Sequence, residues 1–293
     1  MLEKLKDYLL LMRFDKPIGI YLVLWPTLWA VLLAGQGFPS AKVFFIFVLG
    51  CILMRAAGCV INDFADKKFD KHVERTQYRP ITSGRVSSSE AIVLFCILSL
   101  IAFALVLQTN PLTIKLSVVA LFLAVIYPFT KRFISLPQAW LGLAFGWGIP
   151  MAFAAELGLT HFSEIPKLAW MLLVANVCWA IAYDTMYAMV DREDDLKIGV
   201  KSSAILFGHY DRLIIALLQI SMLIVLFAVL DHVAFKNDGV FYRVGLMIAA
   251  VFMCYQQFLI KDRVKVACFK AFLNNHYLGL FILLGVMAEF YLS

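Results

Sequence analysis

The chain has 293 residues, of which 62% are apolar and only 16% charged. With a mean hydropathy of +0.85, that balance excludes an ordinary water-soluble globular domain. The net charge of +6 calls for no nucleic-acid partner, because anionic lipid headgroups are the commonest counterpart of basic charge on a membrane protein.

Residues 1–16 carry mixed charge and read as an amphipathic lead-in. They do not resemble a cleaved signal, since the first apolar run contains Pro26 and lacks a small-residue cleavage site. Nine apolar runs follow, at about 17–36, 42–61, 90–108, 112–130, 133–155, 168–188, 213–233, 240–260 and 271–291. Each is long enough to cross a hydrocarbon core of ~30 Å as a helix. The fourth is the least regular, because Pro111, Lys115 and Pro128 crowd it. The runs are continuous rather than alternating, which predicts an all-α polytopic membrane protein and not a barrel. In the fifth run, Pro137, Gly142, Gly146, Gly148 and Pro150 predict close helix contact and a kink. No linker is long enough to divide the chain, so residues 1–293 are expected to form one membrane domain.

With nine spans, 20 of the 26 Lys and Arg fall on the side of the N-terminus and five on the other, while Arg55 lies within the second span. The bias of basic residues towards the cytoplasm then predicts a cytoplasmic N-terminus and an external C-terminus. Six cysteines (Cys51, Cys59, Cys96, Cys178, Cys254, Cys268) are scattered without a CxxC pair and read as small hydrophobes. The five histidines show no ligand spacing.

Two acidic clusters stand where apolar runs give out, both on the predicted cytoplasmic side. The first is Asn62-Asp63-Phe64-Ala65-Asp66-Lys67-Lys68-Phe69-Asp70, and the second runs from Asp184 through Asp191-Arg192-Glu193-Asp194-Asp195. Residues four and seven apart share a helix face, so Asn62, Asp66 and Asp70 form one stripe and Asp184, Asp191 and Asp195 another. Solvated carboxylates or helix caps would explain one such Asp. Two matched D-x-x-x-D stripes point instead to Mg²⁺ held by oxygen ligands and bridging to a substrate diphosphate. Both clusters lead into basic, hydroxyl-bearing segments, which suggests a weak internal repeat with the site at its interface. Candidate cations for the diphosphate are Arg75, Arg79, Lys131, Arg132 and Lys201; anchoring at the cytoplasmic face would alone explain about half of them, and Lys131 and Arg132 are the more telling because their loop is otherwise short and apolar. The cations Arg13 and Lys16, before the first span, read as interfacial. Arg55, roughly two turns deep in an apolar helix, either binds the carboxylate of an aromatic acid through its guanidinium fork or pairs with an aspartate such as Asp184.

These segments closely resemble the UbiA superfamily of membrane prenyltransferases, and within it the 4-hydroxybenzoate polyprenyltransferases of ubiquinone biosynthesis. The resemblance is carried by Arg13-Phe14-Asp15-Lys16-Pro17-Ile18-Gly19, Asn62-Asp63-x-x-Asp66-x-x-x-Asp70, Arg75-Thr76-x-x-Arg79-Pro80 and Tyr127-Pro128-Phe129-Thr130-Lys131-Arg132. Further on it is carried by Gly146-Trp147-Gly148-Ile149-Pro150-Met151, Asp184-Thr185-x-Tyr187-Ala188 and Asp191-x-x-Asp194-Asp195 followed by Gly199-Val200-Lys201-Ser202. It implies nine helices around a central cavity in a bacterial inner membrane, Mg²⁺ dependence, and a polyprenyl diphosphate donor entering from lipid. It also implies metal and diphosphate roles for Asn62, Asp66, Asp70, Asp191 and Asp195, with 4-hydroxybenzoate as acceptor and Asp191 or Tyr187 assisting the phenol or taking the ring proton. Prenyl transfer to another aromatic acid is the nearest alternative. A secondary transporter would not need two acidic stripes on one side. A CDP-alcohol phosphotransferase would need glycine after its second aspartate, where this chain has Lys67 after Asp66.

Overall fold

The structure, a computed structural model, describes residues 2–68, 70–72, 76–235 and 238–292. Among them there are helices and connecting turns and no strand. A short helix α1 (Leu2–Leu11) precedes α2 (Ile18–Ala34), α3 (Ala41–Asp66), α4 (Ser88–Val106) and α5 (Pro111–Thr130). Then come α6 (Pro137–Gly146), α7 (Gly148–Glu156), α8 (Lys167–Ile198) and the short α9 (Ser203–Phe207). The chain ends with α10 (Asp211–Phe227), α11 (Val240–Leu259) and α12 (Lys265–Tyr291). Seven segments are long and apolar enough to cross a membrane: α3, α4, α5, α8, α11, α12 and the stretch Ser203–His232 that contains α10. The first predicted span is the 17-residue α2, and the fifth is divided between α6 and α7.

Local chemistry explains the boundaries. The crowded fourth run is a full 20-residue helix because Pro111 sits in its first turn, where a missing N–H costs nothing, and Asn110 caps it by accepting from the Thr113 N–H at 3.1 Å. α4 starts with a complete capping box between Ser87 and Glu90. The break between α6 and α7 falls at Trp147, because Pro150 has no N–H to give to the carbonyl of Gly146.

Successive helices pack side by side, and α12 returns against α2 to close a ring, while α8 also touches α2 and α12 across it. Trp29 of α2 and Trp179 of α8 stack at 5.5 Å between centroids, both almost wholly buried. Their indole N–H groups donate to Gly279 O (3.1 Å) and Asn275 Oδ1 (2.9 Å) of α12, so both of these buried donors are satisfied. The ring is tightest where α11 crosses α12. A methyl group on Gly245 would lie 2.8 Å from the Phe281 carbonyl oxygen and 3.2 Å from Gly285 Cα. Both contacts are backbone and cannot rotate away, so Gly245→Ala should force the helices apart at a cost of about 1–3 kcal/mol, read as a lower melting temperature in detergent.

Candidate active site

α3 runs without interruption to Asp66, which places Asn62 and Asp66 on one face, and a single 3₁₀ turn (Asp70–His72) brings Asp70 to the same side. α8 runs for 32 residues, well past the apolar stretch, and ends only where Gly199 adopts a left-handed conformation (φ 70°) with its N–H on Asp195 O. The second acidic cluster is therefore helix. Both stripes face one cavity of about 160 Å³, walled by Asn62, Asp66 and Asp70 on one side and Asp184, Asp191 and Asp195 on the other.

Three of the predicted cations, Arg79, Lys131 and Lys201, also line this cavity. Lys131 ion-pairs with Asp66, and Arg79 Nη1 reaches Asp70 Oδ2 at 2.8 Å and Asp63 Oδ1 at 2.9 Å. Lys201 is aligned by its backbone N–H, which donates to Lys131 O at 3.0 Å and ties the loop after α8 to the loop after α5. Tyr187 lines the wall with its ring 4.8 Å from that of Phe272.

Other predicted residues lie elsewhere. Arg132 sits behind the wall, donating to Ala65 O at 2.8 Å with its guanidinium over the ring of Phe129. Arg55 does not line the cavity, and among the described residues it makes no ion pair, so the pairing with Asp184 is not formed. Its guanidinium lies near Cys59 Sγ and over the Phe145 ring, below Tyr127 and Asp184 and close enough to act on both electrostatically. Arg75 lies outside the described residues. Arg13, expected at the interface, instead grips the buried Asp63 through contacts of 2.9 and 3.1 Å. Its backbone is left-handed (φ 60°) at the corner between α1 and α2. Glu193 and Asp194 point away from the cavity, pairing with Lys265 and Lys197. Arg192 joins Arg263 on the fully buried Asp211, which fastens the end of α8 to α10.

Gln138 and Ser202 are among the wall residues that carried no role in the sequence reading. Gln138 accepts from the Ser203 N–H at 3.0 Å, and Ser202 presents a buried hydroxyl with no hydrogen-bond partner. Gln138 belongs to no charged pattern, so nothing in the sequence marked it. Ser202 follows Lys201 in the basic segment and was within reach of the motif.

The donor set is all oxygen, as hard divalent cations require. Asp66 Oδ1 is buried and has no hydrogen-bond partner, an expensive state for a carboxylate unless a cation or donor meets it. Among the described residues, no three acidic or His/Cys side chains converge into a closed metal cage. Mg²⁺ seldom uses one, binding through one or two carboxylates and completing its shell with water and phosphate oxygens. The walls fit that mode.

Residues 23–284 match the UbiA prenyltransferase family. The chain belongs to this family. A 4-hydroxybenzoate octaprenyltransferase of Coxiella burnetii (strain CbuK_Q154) is 55% identical over 288 residues, covering 98% of each chain. The fold of this UbiA family member is shared with a UbiA homolog from Aeropyrum pernix K1 (TM-score 0.81, 23% identity, 92% of this chain and 97% of that one). A UbiA homolog from Archaeoglobus fulgidus bound to GPP and Mg²⁺ shares it too (TM-score 0.70, 18% identity, 96% and 99%).

Proposed function

We propose that this chain transfers a polyprenyl group from polyprenyl diphosphate to the 3-position of 4-hydroxybenzoate, releasing diphosphate, in ubiquinone biosynthesis. The observation that carries the reading is the end-to-end likeness, at 55% identity, to a relative named for octaprenyl transfer to that acceptor. Among the described residues, counting α2 and the α6–α7 pair with the seven longer segments gives nine crossings, in one domain that spans residues 1–293 in this reading. The bias of basic residues supports a cytoplasmic N-terminus in a bacterial inner membrane, with both acidic stripes on the cytoplasmic side.

In this reading Asn62, Asp66 and Asp70 on α3 and its following turn, with Asp191 and Asp195 on α8, hold Mg²⁺ and the diphosphate. The bound metal supplies neutralisation of the charge that builds on the leaving oxygen. Lys131, Arg79 and Lys201 add positive charge at the same end of the cavity, Arg132 reinforces it from behind, and Arg75 is a further diphosphate-binding cation. As the C1–O bond of the donor breaks, the electron pair leaves with diphosphate and an allylic cation forms. The ring of Tyr187, which lines the cavity, gives that cation a π surface. The ring carbon ortho to the phenol hydroxyl attacks C1, and its proton passes to Asp191 or Tyr187 as aromaticity returns. Asp184 and Arg55 lie on the acceptor's side, with Arg55 matching its carboxylate. The prenyl tail, too apolar to lie in water, runs towards membrane lipid.

The test is mass spectrometry of products from purified protein given several prenyl diphosphates and several phenolic acids. The expected product is 3-polyprenyl-4-hydroxybenzoate, formed with Mg²⁺ and lost when EDTA removes it. Prenylation of a different acid in preference, or equal turnover in EDTA, would overturn the assignment.

A further inference from the structure

Arg55 is a cation inside the apolar span α3, and among the described residues no carboxylate pairs with it. Its Nε is buried without a hydrogen-bond partner. Such a group is costly in a membrane interior unless an anionic ligand meets it. The guanidinium is placed by two neighbours from other helices: the ring of Phe145 on α6, 5.5 Å away, and Gly19 in the first turn of α2. Gly19 is buried, and any side chain there would collide with Arg55. A Cβ would stand 2.3 Å from both Nε and Nη2 and 2.6 Å from Cζ.

We propose that Gly19 is a positioning residue for acceptor specificity: its missing side chain leaves the space in which the Arg55 guanidinium lies. Gly19 thereby sets the enzyme's preference for an acceptor that carries a carboxylate. This rests on the reading that Arg55 meets the acceptor carboxylate. It adds that the discrimination depends on a residue which touches no substrate. The colliding atoms belong to the free end of a long side chain and not to backbone, so Gly19→Ala should displace the guanidinium while sparing the fold.

The experiment compares kcat/KM for 4-hydroxybenzoate with that for its uncharged methyl ester, using one prenyl diphosphate. It is run in the parent protein, Gly19→Ala, Arg55→Met and the double variant. Gly19→Ala should lower the acid-to-ester ratio on the order of tenfold, the worth of one hydrogen bond to a charged group, while KM for the diphosphate stays unchanged. In the Arg55→Met background Gly19→Ala should lower the ratio no further, because the guanidinium it displaces is gone. An unchanged ratio in Gly19→Ala, or an equal fall with and without Arg55, would overturn the role of Gly19. An unchanged ratio in Arg55→Met would instead remove the carboxylate reading beneath it. If Gly19→Ala does not yield folded protein, Phe145→Leu withdraws the other support of the same guanidinium and should lower the ratio too; a parental ratio there would count against the proposal.

Discussion

Asp66→Ala and Asp191→Ala are each expected to cut turnover on the order of a thousandfold, because charge neutralisation at the leaving group is worth several kcal/mol. The two aspartates stand on different helices, α3 and α8, and line the same cavity. Each loss should therefore also raise the Mg²⁺ concentration needed for half-maximal rate. The double variant should fall little further than either single one, since residues that act on one ligand do not contribute additively. Asp66 brings a second effect, because Lys131 is its ion-pair partner and would be left without a counter-charge. Asp66→Asn keeps the shape and removes the charge, and it should behave as Asp66→Ala does if electrostatics is the cause. The measurement is a steady-state rate against Mg²⁺ concentration in detergent or proteoliposomes. Full activity in either alanine variant would dismantle the clamp.

What could be read along the chain was whatever lies within one helix. The stripes Asn62–Asp66 and Asp184–Asp191–Asp195 follow from periodicity alone, and the structure turns both towards one cavity. The full length of α8 was hidden because the polar composition beyond Asp195 reports exposure to water and not backbone conformation. Its end is set by Gly199, a signal that was present but was read as part of a motif. Relations between helices were not legible. Spacing puts Arg55 on the face of Asn62, yet cannot say that Gly19 and Phe145 meet it two turns deeper. The same limit applies to Arg132, which sits beside Lys131 in the sequence but turns to Ala65 O. Arg13 had the composition of an interfacial anchor. Its partner Asp63 lies 50 residues away, and only folding brings the two together.

That pair supports the second large effect. Asp63 is 1% exposed and does not line the cavity, although it stands inside the first acidic motif. Its two oxygens hold Arg13 at 2.9 and 3.1 Å, and one of them also holds Arg79 at 2.9 Å. Arg79 carries the link on to Asp70 at 2.8 Å, so one buried carboxylate connects the α1–α2 corner to the cavity wall. Removing it leaves the Arg13 guanidinium without its carboxylate and breaks one ion pair of Arg79, although Arg79 keeps Asp70. Breaking a buried pair from one side costs about 3–5 kcal/mol, and the partial exposure of Arg13 and Arg79 discounts that to about 2–4 kcal/mol. Asp63→Ala should therefore melt well below the parent protein and bind the prenyl diphosphate more weakly, because Arg79 loses its orientation. Arg13→Ala should cost less, since Asp63 keeps Arg79. In the Arg13→Ala background the further loss from Asp63→Ala should shrink, as shared partners demand. Thermal unfolding of the three variants in one detergent decides it: if the two single losses simply add, Arg13 and Asp63 are not coupled, and the corner is held by packing instead.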